Sequence, residues 1–249
     1  MDKGNHDQKQ LLQDQTVISI KKNTQFFLEE HSKYKQKVAT IDTYLAISDA
    51  INFGLSGCHN ILDIGNGGVF DYNTALLQKI IGLDLFLDAL PKDTKLPENV
   101  KMVQGSALDI PKELVEFDAV LMVMLIHHLI GETVSSCFQN MRKAIDEAYR
   151  VLRPGGKLII VDSCIPTWFF RIEKVLYKPT CWLIERTMKH PPAFQFTREH
   201  ISGILEKSGF HDVNIKAISK GKFILQLGIK VPSFITPTQP TLFLGIKQE

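Results

Sequence analysis

The residues best suited to chemistry fall into two groups, each following an apolar segment. In the first group, "LDIGNGG" (Leu62–Gly68), the acid Asp63 precedes Gly65 and Gly67. Glycines let the backbone turn tightly and approach a ligand, and successive N–H groups there can form an anion-binding concavity. A further acid, Asp84, ends the next apolar segment, and its two acceptor oxygens suit a ribose diol. These residues predict a nucleoside-binding site.

The spacing of this segment disfavours two common nucleotide-binding loops. A G-x-G-x-x-G fingerprint requires glycine at position 70, where this chain has Phe70, and no G-K-[ST] of a P-loop follows. The acid Asp63 would repel a pyrophosphate, but it suits a ligand with an ammonium group. The expected ligand therefore combines adenosine, a ribose diol and an amino-acid tail. A nicotinamide-dependent oxidoreductase is a disfavoured alternative.

The second group comprises His127, His128 and Asp162. A neutral imidazole can take a hydroxyl proton near neutral pH, and a carboxylate can orient the ring. Adjacent residues at a strand end tend to point in opposite directions. One histidine is therefore the candidate base while the other is packed, and Asp162 either supports the base or caps a turn.

Alternating strands and helices must position these groups. Unbroken apolar runs indicate strands that are buried on both faces, as in a parallel sheet. The predicted strands are Asn60–Ile64, Ile80–Leu83, Val100–Val103, Phe117–Val123, Lys157–Asp162, Asp212–Ile218 and Thr241–Lys247. Helices are predicted over Thr133–Leu152 and from the N-cap Thr197 to Lys207. The predicted fold is α/β, with a doubly wound, mostly parallel, seven-stranded sheet. Its carboxyl strand ends place the two groups in one crevice.

Two further segments flank this core. Apolar residues recur at helical spacing from Thr24 to Phe53, which predicts an N-terminal helical segment (1–55) before a main domain (56–249). The insert 163–196 is rich in aromatic and basic residues, and we interpret it as a lid for a flat or apolar small molecule. A satellite core is the alternative. The candidate substrate-binding residues are Tyr34, Trp168, Phe169, Tyr177, Trp182 and Phe194.

Composition disfavours several other classes of protein. The net charge of +2 and the pI of about 8.3 lack the strong basic bias of nucleic-acid binders. The four cysteines have no metal-ligand spacing, so we expect reduced thiols in a cytoplasmic protein without a metal. The N-terminus lacks an apolar signal core. Charges and Pro179 interrupt the apolar stretch 165–188, so stable membrane insertion is not expected, although contact with a membrane surface stays open.

Five successive motifs carry a family resemblance. They resemble those of class I S-adenosylmethionine-dependent methyltransferases, and most of all the small-molecule branch with ubiquinone/menaquinone-type and natural-product O-methyltransferases. The motifs run in family order between Ile61 and Gly209: "ILDIGNGG", "IIGLDL", "VQGSALDIP", "FDAVLMVMLIHHL" and "VLRPGGKLIIVD". The resemblance implies a Rossmann-like methyltransferase fold and methyl transfer from S-adenosylmethionine to a small molecule, leaving S-adenosylhomocysteine.

The resemblance also implies individual site residues. Asp63 and the glycine loop would hold the methionine end of the cofactor, and Asp84 the ribose. The full implied set is Asp63, Gly65, Asn66, Gly67, Asp84, Leu85, Ser106, Ala107, Met122 and Val123. Many members carry a glycine at the position of Val69 and an acid at that of Ser106, so the chain departs from the pattern there.

The triple of His127, His128 and Asp162 resembles the catalytic set of certain sugar O-methyltransferases. It therefore indicates methylation of a hydroxyl oxygen on a small-molecule acceptor. The alternative is a protein of the same fold that binds S-adenosylmethionine for a regulatory or non-methylating function.

Overall fold

The computed structural model describes residues 41–85, 87, 95–187, 192–226 and 229–248. The strands in these residues are β1 (Asn60–Ile64), β2 (Lys79–Asp84), β3 (Val100–Gln104), β4 (Phe117–Val123), β5 (Leu152–Cys164), β6 (Phe210–Ala217), β7 (Phe223–Gln226), β8 (Ile229–Pro232) and β9 (Gln239–Lys247). The helices are α1 (Asp42–Gly54), α2 (Val134–Val151), α3 (Thr167–Thr187) and α4 (Arg198–Lys207). Short 3₁₀ turns lie at Thr74–Leu76, Ile126–His128 and Ser233–Ile235.

Seven strands form one sheet in the order β3-β2-β1-β4-β5-β9-β6. Strand β9 is antiparallel to both of its neighbours, whereas the pairs from β3 to β5 are parallel. The strand order reverses between β1 and β4, which is the switch point where open α/β sheets bind ligands. The predicted α/β class and the mostly parallel seven-stranded sheet are confirmed.

Core residues cover both faces of the sheet, as unalternating apolar strands require. Along β4, Val120 and Met122 belong to a core cluster that includes Met141 of α2. The intervening Leu121 packs instead in a cluster with Ile47 of α1. The sheet therefore lies between helical layers, and its carboxyl strand ends remain the place for a site.

The connection from β1 to β2 is unusually short for adjacent parallel strands. In residues 65–78 the chain forms only the 3₁₀ turn, where a crossover helix is usual. The side chains of Tyr72 and Leu77 are buried there and fill the layer. The Asn99 amide donates to the carbonyls of Thr74 and Leu77, each at 2.8 Å, and so holds the turn.

Local capping explains where two helices begin. Thr133 accepts the Ser136 N–H at 3.1 Å and Thr197 accepts the His200 N–H at 3.3 Å, each at the N-cap of its helix. Both starts follow the sequence prediction. After α4, Gly209 adopts φ +94°, the left-handed conformation common after a helix.

Three segments differ from expectation or extend it. Strand β5 starts at Leu152, ahead of the predicted start at Lys157. The proline-containing stretch after β6, where no strand is predicted, forms the antiparallel pair β7–β8 apart from the main sheet. Of the predicted N-terminal segment, α1 is described, whereas Tyr34 lies outside the described residues. The division into 1–55 and 56–249 stays a prediction.

Candidate active site

The loop after β1 depends on left-handed glycines. Gly65, Gly67 and Gly68 have φ values of +74°, +56° and +73°, which residues with a Cβ rarely adopt. A Cβ on Gly65 would lie 2.7 Å from Cδ1 of Leu125, in the segment after β4. The loop after β1 therefore packs closely against the chain leaving β4, across the switch point.

The N–H groups of this loop are bonded within the protein. The Gly65 N–H donates to the Leu83 carbonyl at 2.8 Å, and the Gly67 N–H donates to Oδ2 of Asp84 at 2.9 Å. The Gly68 N–H donates to the Asn66 side chain at 2.8 Å. The Gly67 and Gly68 N–H groups therefore bind the side chains of Asp84 and Asn66. They do not form the open anion-binding concavity that the glycines suggested. They fix Asp84, at the end of β2, beside the loop.

Asp63 is a buried carboxyl with neutral hydrogen-bond donors. Its side chain is 2% exposed, and its Oδ2 accepts from the Asn66 amide at 2.8 Å and the Tyr72 hydroxyl at 2.9 Å. Burial raises the pKa of Asp63 to about 7, although the two hydrogen bonds oppose the shift. Within the described residues Asp63 forms no ion pair. A ligand ammonium would favour the ionised carboxylate, so the site fits an amino-acid tail.

Tyr72 belongs to the surroundings of Asp63, although no sequence motif indicated it. The Tyr72 hydroxyl donates a hydrogen bond to the Asp63 carboxyl, and burial raises the pKa of Tyr72 above its ordinary value. The tyrosine therefore stays a neutral donor to the carboxylate. A hydroxyl-bearing aromatic shortly after the glycine loop is the signal that could have identified it.

His127 and Asp162 form a hydrogen-bonded pair. Nδ1 of His127 lies 2.7 Å from Oδ1 of Asp162, and the His127 N–H donates to Oδ2 of the same carboxylate at 3.3 Å. The Ser163 N–H also donates to Asp162, at 2.6 Å. An ionised carboxylate only accepts, which assigns the proton to Nδ1 and leaves Nε2 as the acceptor. The arrangement can take a proton from a hydroxyl.

A strained backbone turn precedes the pair. Met124, directly after β4, has φ +51°, and its N–H donates to the Val161 carbonyl of β5 at 2.7 Å. A non-glycine residue in this conformation costs about 1–3 kcal/mol and tends to occur at functional sites. The turn leads into the 3₁₀ segment in which His127 meets Asp162. No sequence signal marks a methionine for this conformation.

His128 packs against His127 instead of joining the pair with Asp162. The ring centroids are 4.1 Å apart and the planes are tilted by 43°. Of the two predicted histidines, the geometry therefore brings His127 to the carboxylate. The role of either histidine as a base stays a prediction.

Glu173 of α3 adds a second carboxyl near His127. Its Oε1 accepts the Gln195 N–H at 3.0 Å, whereas its Oε2 is buried without a hydrogen-bond partner among the described residues. Burial raises the pKa of Glu173 to about 7, although the hydrogen bond from the Gln195 N–H opposes this shift. No sequence motif indicated a role for Glu173, although it is the only acid between Ser163 and Ile184.

Comparisons with known proteins decide the family. Residues 62–160, from β1 into β5, match the family model described as a methyltransferase domain. The demethylmenaquinone methyltransferase of Staphylococcus carnosus is 24% identical over 189 residues, covering 66% of this chain and 73% of that protein. These matches support a class I S-adenosylmethionine-dependent methyltransferase. The predicted family, enzyme class and cofactor are confirmed, which favours methyl transfer over the regulatory and nicotinamide alternatives.

A further relative and a solved structure agree with this assignment. The ubiquinone/menaquinone biosynthesis C-methyltransferase of Brucella anthropi is 28% identical over 153 residues, 55% of this chain and 53% of that protein. A solved S-adenosylmethionine-dependent methyltransferase of Thermotoga maritima, described as a possible histamine N-methyltransferase, superposes with a TM-score of 0.58. It is 18% identical and covers 90% of this chain and 99% of that one, which supports the fold alone.

The remaining predicted cofactor residues of the methyltransferase fall into two sets. Leu85 follows Asp84 and is partly exposed, and Ser106 and Ala107 lie in the turn after β3. The Gly105 N–H donates to the Asp84 carbonyl at 3.0 Å, which joins that turn to the end of β2. Met122 is fully buried in the core and Val123 is partly buried, so these two contribute to packing at the end of β4.

The insert of the methyltransferase separates its predicted substrate-binding aromatics. Tyr177 and Phe194 are buried with ring centroids 5.1 Å apart, and Phe169 packs beside this cluster. The Phe194 N–H donates to the His127 carbonyl at 2.9 Å, which joins the cluster to the turn that carries His127. Trp168 and Trp182 are exposed, and Trp168 packs edge-on against Phe169 with ring centroids 5.5 Å apart.

Cysteine, metal and membrane features complete the description of the methyltransferase. The four cysteines are free thiols. In the part of the chain that the structure describes, no cluster of three His, Cys, Asp or Glu side chains is arranged to hold a metal. The same residues include no helix with the length and apolarity needed to cross a bilayer.

Proposed function

We propose that this methyltransferase methylates a hydroxyl oxygen of a small-molecule acceptor, with His127 as general base and Asp162 as its orienting partner. The supporting observation is the 2.7 Å contact between Nδ1 of His127 and Oδ1 of Asp162. These residues follow β4 and end β5 at the carboxyl edge that also carries the glycine loop. Donor site and base therefore share one edge of the sheet.

Asp63 and Asp84 would hold the two ends of the cofactor. The buried Asp63 carboxyl would bind the ammonium group of the methionine end, and Asp84 the ribose hydroxyls. Leu85 and the turn of Ser106 and Ala107 lie next along the edge and would contact the adenine. S-adenosylmethionine, when bound, supplies an electrophilic methyl group on sulfur.

The pair of His127 and Asp162 would supply base catalysis. Asp162 fixes the tautomer, so Nε2 of His127 accepts the acceptor's hydroxyl proton, and the carboxylate then stabilises the imidazolium. A positioned base contributes about 10²–10⁴-fold. Alignment of nucleophile and methyl group contributes more, about 7–11 kcal/mol, so binding of the acceptor dominates the rate enhancement.

The surroundings of His127 suggest an acceptor with an apolar body and polar groups. Phe169 is partly buried and packs on the cluster of the buried rings of Tyr177 and Phe194, so the protein beside the turn of His127 is apolar. The buried Oε2 of Glu173 lacks a hydrogen-bond partner among the described residues, and buried polar atoms normally have one. A hydroxyl of the acceptor would satisfy it. Ionised Glu173 would also stabilise the positive charge that develops on His127 as it takes the proton.

Methylation of a ring carbon is the second candidate. Two of the relatives above are named as a demethylmenaquinone methyltransferase and a ubiquinone/menaquinone biosynthesis C-methyltransferase. Removing the proton of a phenolic hydroxyl raises the electron density on the ring carbon as well as on the oxygen. The same base would therefore serve either outcome, and the orientation of the acceptor would choose the atom.

One assay separates these functions. The full chain would be incubated with S-adenosylmethionine carrying an isotope-labelled methyl carbon and with phenols, hydroquinones, sugars or amines. NMR of the product distinguishes a methyl group on oxygen from one on carbon or nitrogen. The proposal expects an oxygen-bound methyl and a large loss with His127→Ala. Turnover of an amine that is unchanged in His127→Ala would reject the assigned base.

A further inference from the structure

Helix α3 carries two apolar faces. Phe170, Tyr177 and Ile184 recur every seven residues and are buried against the core. At 100° per residue, a second set of large apolar side chains occupies a continuous stripe on the opposite side. The set is exposed and consists of Trp168, Ile172, Val175, Leu176, Trp182 and Leu183. Val175, at its centre, is 78% exposed and Trp168 is 60% exposed.

Cationic side chains border this stripe. Arg171, Lys174 and Lys178 are exposed and lie along one edge of it at helical spacing. Arg186 lies over the ring of Trp182, with its guanidinium carbon 5.3 Å from the ring centroid. Glu173 projects from the core side instead, near His127. The outer surface of α3 therefore combines aromatic and aliphatic side chains with a positive edge.

We propose that α3 binds the surface of an anionic lipid bilayer. The helix would lie in the plane of the interface, with Trp168, Val175 and Leu183 in the boundary between headgroups and acyl chains. Arg171 and the lysines would meet the lipid phosphates, because cationic side chains beside an apolar face complement anionic headgroups. Contiguous exposed apolar surface of this kind marks an interaction site rather than ordinary protein surface.

A bilayer suits this face better than a second protein surface. Trp182, Arg186 and Trp168 combine indole rings and a guanidinium that prefer the headgroup level, where one part of the side chain is apolar and the other is wet. The basic side chains along the edge complement an extended negative surface. An anionic bilayer carries negative charge over its whole surface, so the helix can bind in any in-plane orientation. Interfacial binding also requires no spanning helix.

The inner and outer faces of α3 link the interface to the site. Glu173, near His127, and the buried Tyr177 lie on the inner face, directly beneath the proposed lipid contact. An acceptor dissolved in the bilayer would reach the site along this helix. The membrane contact itself does not depend on which atom is methylated, so its failure would leave the proposed chemistry intact.

Intrinsic fluorescence tests the contact directly, because the chain's two tryptophans both lie on the proposed lipid face. The full chain would be titrated with vesicles of phosphatidylcholine alone and with vesicles that also contain phosphatidylglycerol. We expect a blue shift of the emission and protection from acrylamide with the anionic vesicles. High salt should weaken the effect because it screens the basic edge.

Matched variants separate this face from general charge attraction. R171E/K174E/K178E should reduce vesicle affinity by roughly a hundredfold or more, since each basic residue near an anionic surface contributes about a fivefold gain. The control K101E/K143E/K207E makes the same charge change at exposed sites on β3, α2 and α4 and should bind like the wild type. V175Q/L183Q should weaken binding while keeping both tryptophans as probes.

Several outcomes would overturn the proposal. Absence of binding to anionic vesicles, or equal losses in the two charge-reversal variants, would exclude a specific lipid face. Tryptophans already shielded in the lipid-free protein would show that the face is covered by its own chain or by a second copy. Sedimentation in the absence of lipid would then tell these two apart. Circular dichroism checks that each variant is folded.

Discussion

The ring of His127 lies 2.7 Å from the carboxylate of Asp162, which also accepts the backbone N–H of His127. One carboxylate thus fixes both the tautomer and the turn that carries the ring. The residues are 35 positions apart and meet because β4 and β5 are adjacent parallel strands. The candidate base is therefore held in place by the fold before any ligand binds.

Removing the base should lower turnover strongly but should change the affinity for the cofactor little. We expect His127→Ala to reduce kcat by about 10²–10⁴-fold, because the acceptor hydroxyl would lose its general base. Asp162→Asn should lower kcat as well, since the amide can favour the wrong tautomer. The control His211→Ala replaces a half-exposed imidazole on β6. Steady-state kinetics and titration with S-adenosylhomocysteine measure both effects, and equal turnover of His127→Ala and His211→Ala would contradict the assignment.

Asp63→Asn should stabilise the ligand-free protein at pH 8 and abolish cofactor binding. The pKa of Asp63 is about 7 in the folded chain and about 3.9 when unfolded, so folding favours the protonated acid. This contribution is present below pH 4 and is lost as the pH rises towards 7. The loss spans roughly three pH units, each worth about 1.4 kcal/mol, so about 4 kcal/mol.

Thermal unfolding with and without S-adenosylhomocysteine at pH 5 and pH 8 measures both effects of Asp63→Asn. The wild type should lose stability between these values and gain a ligand-induced rise in Tm, whereas the variant should show neither. Asp109→Asn, at an exposed acid, is the control. A ligand-induced rise in Tm that survives in Asp63→Asn would disprove the assigned role.

Glu173→Gln should change the pH dependence of activity rather than cofactor affinity. Burial raises the pKa of Glu173 to about 7, so it is protonated below that pH and ionised above it. Ionised Glu173 would stabilise the positive charge that develops on His127 during proton abstraction, whereas neutral Glu173 or glutamine would not. The ratio of wild-type to variant kcat should therefore rise from near one at pH 6 to roughly tenfold at pH 8. Glu206→Gln is the exposed control, and a ratio that does not vary with pH would argue against this coupling.

Gly65→Ala should destabilise the protein in two ways, by backbone strain and by a steric clash. The left-handed φ costs about 1–2 kcal/mol for alanine, and overpacking against Leu125 adds about 1–3 kcal/mol. Gly155→Ala is the matched control, because Gly155 has φ +70° with nothing within 4 Å of its added Cβ. Denaturant unfolding should show the larger loss at Gly65. Leu125→Ala in the Gly65→Ala background should recover part of it, and equal losses at both glycines would exclude the steric contact.

Sequence patterns predicted the elements that depend on local periodicity and capping. The bounds of β1 and β4 agree with the apolar runs, and α4 starts after Thr197 because a threonine side chain can satisfy an early N–H. The length of the insert helix was harder to predict. Helix α3 runs through Pro179, which ordinarily ends a helix, and its two apolar faces obscure a single amphipathic period.

The sequence by itself determined the order of the strands along the chain and the residue types at their carboxyl ends, and with them the family and cofactor class. Only the tertiary structure decided which side chains meet. It placed His127, rather than His128, on Asp162 through a left-handed turn at Met124, and it brought Glu173 beside them. Such contacts depend on strand order in space and on burial, and periodicity along one chain encodes neither.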